Sequence, residues 1–534
     1  MQATSQSAVI TPAQGSHRRK AWLWVLWIVL VSLSVLIVVF QILLKRATPI
    51  LKGRVIETLS THFDSKVELD NLQVSITHGL NVTGGGLRIF PPDDVVAAGA
   101  KDPLIAIDRF SFHAALIGLL FKPMHVRTVY VQVLSISIPP RQMRQQGTSH
   151  RRHFGKSKIE VGEIVCDDSR LIIGTDKPNK DPKLFELKHI VLHDVGPNAP
   201  WPYDAILTNA IPKGDIHATG TFGPWNTESA GDSSVTGKYL FDHADLNTIK
   251  SIGGSLHSVG TFQGQLNRIA IEGTTEVPDF SIDTANHPMP LWAKFSAIVD
   301  GTTGDTYLQP VAARLAGSEF SCRGAIINLK GKGHTIDLDI DVPAGRIQDF
   351  LQLSVKTEPA VISGIVETKT KLHIRPGKES VGNKLSMQGG FTLRHIHFTN
   401  PELEDKVDML SLRAKGEPKE AKPGAEDVTS KMSGQFVMND GRLTFRDLDY
   451  TLPGATVQLA GVYSLDGKRI EFTGKVRTQA ELSQMVASKW KSWLLKPINP
   501  FFHKDGAGAE IPVTVSGTKG KLKFGLDLRD MKNR

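Results

Sequence analysis

The chain has 534 residues, of which 40% are hydrophobic and 22% are charged. These proportions exclude a disordered chain and a polytopic membrane protein, and two cysteines exclude a disulfide framework or a multi-cysteine zinc site. The net charge of +9 is modest for this length, and the 48 glycines favour many turns over long helices.

The first predicted element is a membrane anchor at 21–44 (AWLWVLWIVLVSLSVLIVVFQILL), which carries no charge. At ~1.5 Å per residue its 24 residues span about 36 Å, enough for a ~30 Å hydrocarbon core. Because the run is long and ends in Lys45-Arg46, it predicts an uncleaved single-pass signal anchor. Both flanks are basic, so we assign the 1–20 tail to the cytoplasm because a short polar tail is easily retained while a long domain is exported.

The next predicted unit, 45–140, is a small α/β module. Residues 49–59 have the spacing of a short amphipathic helix, and from Lys66 apolar residues recur with period two between glycines, as in strands. The stretch 141–158 has six basic residues and no acidic one. It is predicted to be a solvated linker, and contact with anionic headgroups is the alternative.

Residues 159–478 are predicted to form an elongated, mainly antiparallel β region. Few helices are predicted and they are short, such as one at 346–353 in this region and one at 115–121 in the preceding module. A two-residue hairpin turn at 440–441 should place apolar residues opposite one another: Met438 with Leu443, and Phe436 with Phe445. The turn at 466–467 adds more residues to such a face: Tyr463, Ile470 and Phe472. About 25 such strands would make a sheet roughly 120 Å long.

The apolar face of these strands must be covered, because burying each large apolar side chain stabilises the fold by roughly 1.5–3 kcal/mol. A face of six such residues therefore cannot stay in water. Too few helices are predicted to supply it. Either a second sheet packs on top to form closed sandwiches, or the sheet curls into a trough that holds apolar ligand. Periodicity alone does not separate these two arrangements.

No catalytic motif is present: the sequence lacks a Walker loop, G-x-S-x-G, H-E-x-x-H and C-x-x-C. Three alternating aspartates, Asp337, Asp339 and Asp341, favour a solvated strand face over a calcium site, because they lack the flanking turn such a site uses. We therefore expect no enzymatic activity, cofactor or metal. Nucleic-acid binding is not expected of an exported domain.

Two further features leave alternatives open. Cys166 and Cys322 are consistent with a disulfide in an oxidising compartment or with two unpaired thiols. In the predicted C-terminal region, 479–534, residues 481–495 have an amphipathic helical stripe. The aromatic and basic residues suited to a membrane interface or a lid over a trough are Lys489, Trp490, Lys491 and Trp493, and a helix capping the last sheet is the alternative.

Two sets of segments, one near each end of the chain, carry a resemblance to a known family. The N-terminal set is the anchor, then GRVIETLSTHF (53–63), SKVELDNLQVSITHGLNVTGGGLRIF (65–90) and IAIDRFSFHAALIGLLFKPMHVRTVYVQ (105–132). The C-terminal set is FVMNDGRLTFRDLDYTLPGATVQLAGVYSLDGKRIEFTGKV (436–476), SQMVASKWKSWLLKPINPFF (483–502) and IPVTVSGTKGKLKFGLDL (511–528). In their order and spacing these segments resemble the AsmA family of bacterial envelope proteins. One departure is Thr77-His78, where the family commonly has a proline before the glycine.

The resemblance implies an inner-membrane protein with a periplasmic β-rich trough, related to TamB and to bridge-like lipid transfer proteins. It implies a role in outer-membrane biogenesis, with phospholipid as cargo and outer-membrane assembly proteins as partners, and it brings no catalytic residues. The alternative is a non-transporting β-sandwich scaffold or regulator of outer-membrane protein assembly. On the trough hypothesis, the apolar hairpin residues named above line the groove.

Overall fold

The computed structural model describes residues 65–526 and a few helical residues between 30 and 60, with gaps after residue 65 at 76–79, 115–123, 141, 143–158, 176, 197–198, 225–229, 250, 284, 356–358, 425–427, 489–507 and 519–520. Most of these residues belong to a 25-stranded sheet in which strands that follow one another in the chain pair side by side. The predicted fold class is confirmed at this level: mainly β, with a long, curled, open sheet and few short helices.

The strands, in chain order, are β1 Val67–Glu68, β2 Asn71–Ser75, β3 Leu80–Ile89, β4 Ile105–Ala114, β5 Met124–Ile138, β6 Ile159–Ile173, β7 Lys183–Val195, β8 Trp201–Ala210, β9 Lys213–Phe222, β10 Ser234–Asp245, β11 Ile252–Gly253, β12 Ser255–Gln265, β13 Arg268–Ile282, β14 Met289–Val299, β15 Thr306–Leu315, β16 Ser318–Leu329, β17 Gly333–Arg346, β18 Ile362–Ile374, β19 Leu385–Phe398, β20 Ser430–Asn439, β21 Arg442–Leu452, β22 Ala455–Ser464, β23 Ile470–Thr478, β24 Ala509–Thr518 and β25 Lys521–Leu526. The helices are α1 Asp93–Ala97, α2 Ile347–Ser354, α3 Val381–Lys384 and α4 Pro401–Lys415, with single 3₁₀ turns at Ala230–Asp232 and Leu246–Thr248.

Every ladder between described strands is antiparallel except that of β5 and β6, which pair in parallel from Met124 beside Ile159 to Ile138 beside Ile173. The sheet therefore continues across the stretch 141–158. The ladder is also interrupted at two places, because β1 and β2 both pair with β3, and β11 and β12 both pair with β13.

Two helices pack against one end of the strands in the second half of the sheet. α2 matches the helix predicted at 346–353. α4 was not predicted from the sequence, although its ends carry recognisable signals. The Asn400 side chain accepts a hydrogen bond from the Leu403 N–H, Pro401 opens the helix, and Gly416 ends it with φ of 90°.

The buried apolar residues form three separate clusters rather than one core. The first, around Leu69, Leu72 and Val82, is covered by helical residues Val55 and Ile56 of the predicted short N-terminal helix. The second, around Ile173, Val235 and Leu266, joins strands from β5 to β13. The third lies under α2 and α4, and its most buried residues include Ile396, Ala414 and Leu452.

The predicted anchor, 21–44, lies outside the described residues except for 30–32 and 34–35, which are helical. In this fragment Leu30, Val31 and Val35 are exposed, and the Ser34 hydroxyl donates to the Leu30 carbonyl. Within the described part of the chain, no helix has the length and hydropathy needed to cross a membrane.

Candidate functional site: the apolar inner face

Alternate residues of the strands form an apolar face, which we call the inner face. One cross-strand row on it follows the register from β15 to β25: Leu308, Gly324, Leu338, Leu372, Met387, Met438, Leu443, Tyr463, Ile470, Gly517 and Leu522. The neighbouring row, from β15 to β24, contains Val311, Cys322, Ile340, Thr370, Gly389, Phe436, Phe445, Gly461, Phe472 and Val515. The seven groove residues predicted from the sequence therefore lie in these two adjacent rows.

The predicted hairpin registers agree with the structure. Met438 faces Leu443 and Phe436 faces Phe445, across a turn in which Asp440 and Gly441 both have positive φ, 48° and 72°. This is the two-residue turn whose twist matches that of the strands. In the next hairpin Tyr463 faces Ile470.

Aromatic rings from strands two positions apart lean toward each other on the inner face. Such strands lie about 9.6 Å apart in a flat sheet. The Phe391 and Phe445 ring centroids are 6.2 Å apart, and those of Phe445 and Phe472 are 6.0 Å apart. Farther along the sheet, a Cβ on Gly273 of β13 would lie 2.7 Å from the hydroxyl of Tyr239 on β10, so glycine is needed where this ring leans across.

Much of the inner face is partly open to solvent. Leu443, Phe445 and Phe472 are half-buried, while Met438 and Ile470 are buried at 4% and 9% exposure. Partial burial also raises the pKa of Tyr463 above its ordinary value, with a smaller contribution from the nearby carboxylate of Asp466. None of the seven predicted residues belongs to the buried clusters, and at the end of the described sheet Leu522 is 46% exposed.

The opposite face is polar and carries cross-strand ion pairs. Asp337 binds His373 at 2.6 Å, Asp339 lies 3.7 Å from Arg323, and the third predicted aspartate, Asp341, lies 3.4 Å from Lys369. These aspartates are thus on the solvated strand face that their alternation predicted. No group of three metal-ligating side chains is present among the described residues.

A shallow open cleft of about 690 Å³ lies where β19–β23 end. Its basic side chains are Arg394, Lys431 and Arg477, and Gly454 lies in the turn beside them. Arg394 and Arg477 are paired with Glu367 and Glu510, respectively. Sequence reasoning did not find this cleft, because its residues come from five strands and share no motif.

The described residues of the β6–β7 connection, 174–175 and 177–182, reach across to the β14–β15 and β16–β17 turns, and we call this connection the clasp. The Lys180 ammonium binds Asp305 Oδ1 at 2.7 Å and the Asn328 carbonyl at 2.5 Å, with both charged side chains about nine-tenths buried. Backbone and side-chain contacts continue the junction: the Lys330 N–H donates to the Asn179 carbonyl and the Gly331 N–H to Asp181 Oδ2.

A second ion pair in the clasp joins Lys177 to Asp300. Burial acts to raise the pKa of Asp300, but hydrogen bonds from Lys177 and Thr302 outweigh it and hold the pKa below its ordinary value. Beneath the clasp, the second buried cluster fills the space between β5–β7 and β8–β13. The clasp and this cluster therefore cover the inner face from β5 to β13. The rows from β15 onward remain partly open to solvent.

Both cysteines lie on the inner face and are free thiols. Cys166 is 2% exposed and faces Ile190, and Cys322 is half-buried and faces Ile340. Burial, with a smaller effect of Asp167, raises the pKa of Cys166 to about 11, and burial also raises the pKa of Cys322.

The predicted interface helix differs from the structure at its start, since residues 481–488 form turns, with the Glu481 N–H donating to the Gln484 side chain. Its four functional candidates, Lys489, Trp490, Lys491 and Trp493, lie outside the described residues. No protein-family model, curated protein or solved structure matches this chain.

Proposed function

We propose that this chain is an AsmA-like protein of the bacterial envelope that carries phospholipid acyl chains along its inner face. The observation that carries the proposal is the pair of adjacent rows, made mainly of apolar residues and glycine, of which one runs from β15 to β25 and the other from β15 to β24. A curled sheet with one apolar and one ion-paired face can hold an acyl chain against the first while water contacts the second. No catalytic role is part of this proposal.

The proposed location is the bacterial inner membrane, with the anchor at 21–44 and the sheet in the periplasm. The support is the length and apolarity of that segment and the family resemblance at both ends of the chain. In such an arrangement the groove would contribute to outer-membrane biogenesis, alongside outer-membrane assembly proteins. Fusion of a reporter active only in the periplasm after residue 534 tests the orientation, and an inactive fusion would contradict it.

The direct test is lipid analysis of the full chain, purified in amphipol and extracted for mass spectrometry. We expect phospholipid bound in a fixed ratio to protein, above the amount carried by a control protein with one anchor helix and a polar domain. A ratio equal to that of the control would reject the proposal. Transfer of labelled phospholipid between vesicles would then show whether bound lipid moves.

A second candidate function is a non-transporting scaffold for outer-membrane protein assembly. The clasp favours it, because the inner face under residues 174–182 is filled by the molecule's own side chains around Ile173 and Val235. A scaffold should retain no lipid in the extraction, and its partner binding should survive polar substitutions on the open rows. The same two experiments therefore separate the candidates.

A further inference from the structure

An ammonium group that has no carboxylate partner among the described residues lies beside the clasp. Lys183, the first residue of β7, pairs with Ile173, whose side chain is in the second buried cluster. The Lys183 Nζ lies 5.9 Å from the centroid of the Phe185 ring and would be 3.3 Å from a Cβ on Gly304. It makes no hydrogen bond or ion pair with the part of the chain that the structure describes.

The surroundings of Lys183 are cationic. Burial lowers the pKa of the Lys183 ammonium. Burial also lowers the pKa of His334, and the charge of Lys183 lowers it further. The carboxylate of Asp305, which acts in the opposite direction on His334, is already bound by Lys180. An anion placed between Lys183 and His334 would therefore meet donors that no acceptor among the described residues satisfies.

This cationic group stands at the start of the open part of the inner face. His334 and Ile336 lie two residues apart on β17 and thus on the same side of the sheet. Ile336 belongs to a row that begins beside Gly304 and continues away from the clasp: Thr306, Ile326, Ile336, Ile374 and Leu385. An acyl chain attached to an anion at Lys183 could follow this row.

We propose that Lys183, with His334, binds the anionic headgroup of a lipid whose acyl chain lies along the inner face from β15 onward. The site rests on the proposed function and narrows it to lipids that carry a phosphate or carboxylate close to the chain. The clasp positions the site, because it holds Lys183, at the start of β7, against the turn that contains Gly304. Charge-assisted hydrogen bonds to an ammonium are stronger than those between neutral groups.

The experiment measures binding of two probes to the full chain in amphipol: lysophosphatidic acid and the monoacylglycerol with the same acyl chain. The probes differ only in the phosphate. We expect wild type to prefer the phosphate probe by about tenfold, as for one charge-assisted hydrogen bond. Lys183→Met should remove this preference and retain monoacylglycerol binding. The matched control is Lys294→Met, which removes an exposed lysine from the opposite face of β14 and should keep the preference.

Melting temperature separates binding from a structural role. Because Lys183 is a partly buried ammonium with no acceptor among the described residues, Lys183→Met should melt at or above the wild-type temperature. A lower melting temperature with loss of both probes would show a structural lysine and overturn the inference. Equal binding of both probes to wild type would overturn it while leaving the groove intact, and binding of neither would reject the proposed function as well. Displacement of the lysophospholipid by millimolar inorganic phosphate would assign the site to free phosphate instead.

Discussion

Leu443 and Leu452 illustrate the two environments that one strand offers on the inner face. Both lie on β21, and a bulge between Phe445 and Leu448 keeps both side chains on the inner side. Leu443 is half-buried and belongs to none of the buried clusters, whereas Leu452 is 3% exposed in the cluster under α2 and α4. The pair therefore provides a matched test of an open wall against a closed core.

Replacing Leu443 with Asp should leave the fold largely intact and abolish lipid retention, because the carboxylate can reach water while it disrupts the apolar wall. Replacing Leu452 with Asp should unfold the C-terminal part of the sheet, because an unpaired buried carboxylate costs several kcal/mol. Thermal melting followed by lipid extraction measures both effects. If Leu443→Asp melted as low as Leu452→Asp, the groove at this position would be a closed core.

The two native cysteines report directly on the inner face. Burial raises the pKa of Cys166 from 9.0 to about 11. At pH 8 its thiolate fraction is therefore roughly a hundredth of that of an ordinary cysteine, and only the thiolate reacts. We expect iodoacetamide to modify Cys322 slowly and Cys166 only after unfolding, as measured by peptide mass spectrometry. Loading with phospholipid should slow the modification of Cys322 further. An unchanged Cys322 rate after loading would place the lipid elsewhere.

At the scale of single elements, short-range signals were predictable and bulges were not. The 440–441 hairpin register follows from its turn residues, whose positive φ values suit Asp and Gly. The bulge on β21 has no such signal, since Arg446 and Asp447 are simply two consecutive polar residues. α4 was missed because its sequence, PELEDKVDMLSLRAK, is mostly polar, and its Asn400-Pro401 start and Gly416 end were the signals that could have found it.

The clasp depends on a buried ion pair between residues 125 positions apart. Lys180→Met should destabilise the protein by about 3–5 kcal/mol, because Asp305 would remain buried without its counter-charge. Lys188→Met is the control, since its exposed pair with Asp215 should contribute only about 0–1 kcal/mol. Urea unfolding measures the difference, and hydrogen exchange should speed up at 177–182 and 300–305. Equal effects of the two substitutions would show that the clasp adds little to stability.

At the scale of the whole molecule, the sequence predicted one apolar and one polar face but left open how the apolar face is covered. Alternation of side chains reports only which face a residue occupies. The contacts that cover the apolar face, such as Lys180 with Asp305 or Ile173 with Val235, join residues far apart in the chain. Such contacts produce no periodic pattern in the sequence. The structure shows that coverage varies along the sheet: it is greatest at the buried clusters beside the clasp and under α2 and α4, and lower along the open rows.

The length of the sheet determines the shape that the molecule should have in solution. β1 and β2 share one position in the sheet, as do β11 and β12, so the 25 strands occupy 23 positions (25 − 2). The 22 spacings of ~4.8 Å between them give a sheet about 100 Å long. A compact globule of 534 residues would have a radius of gyration of about 24 Å, whereas a rod of this contour would have about 30 Å. Neutron scattering from the full chain, with the detergent contrast-matched, distinguishes these values. A radius near 24 Å with a globular profile would mean that the sheet folds back on itself and that the open rows are closed in solution.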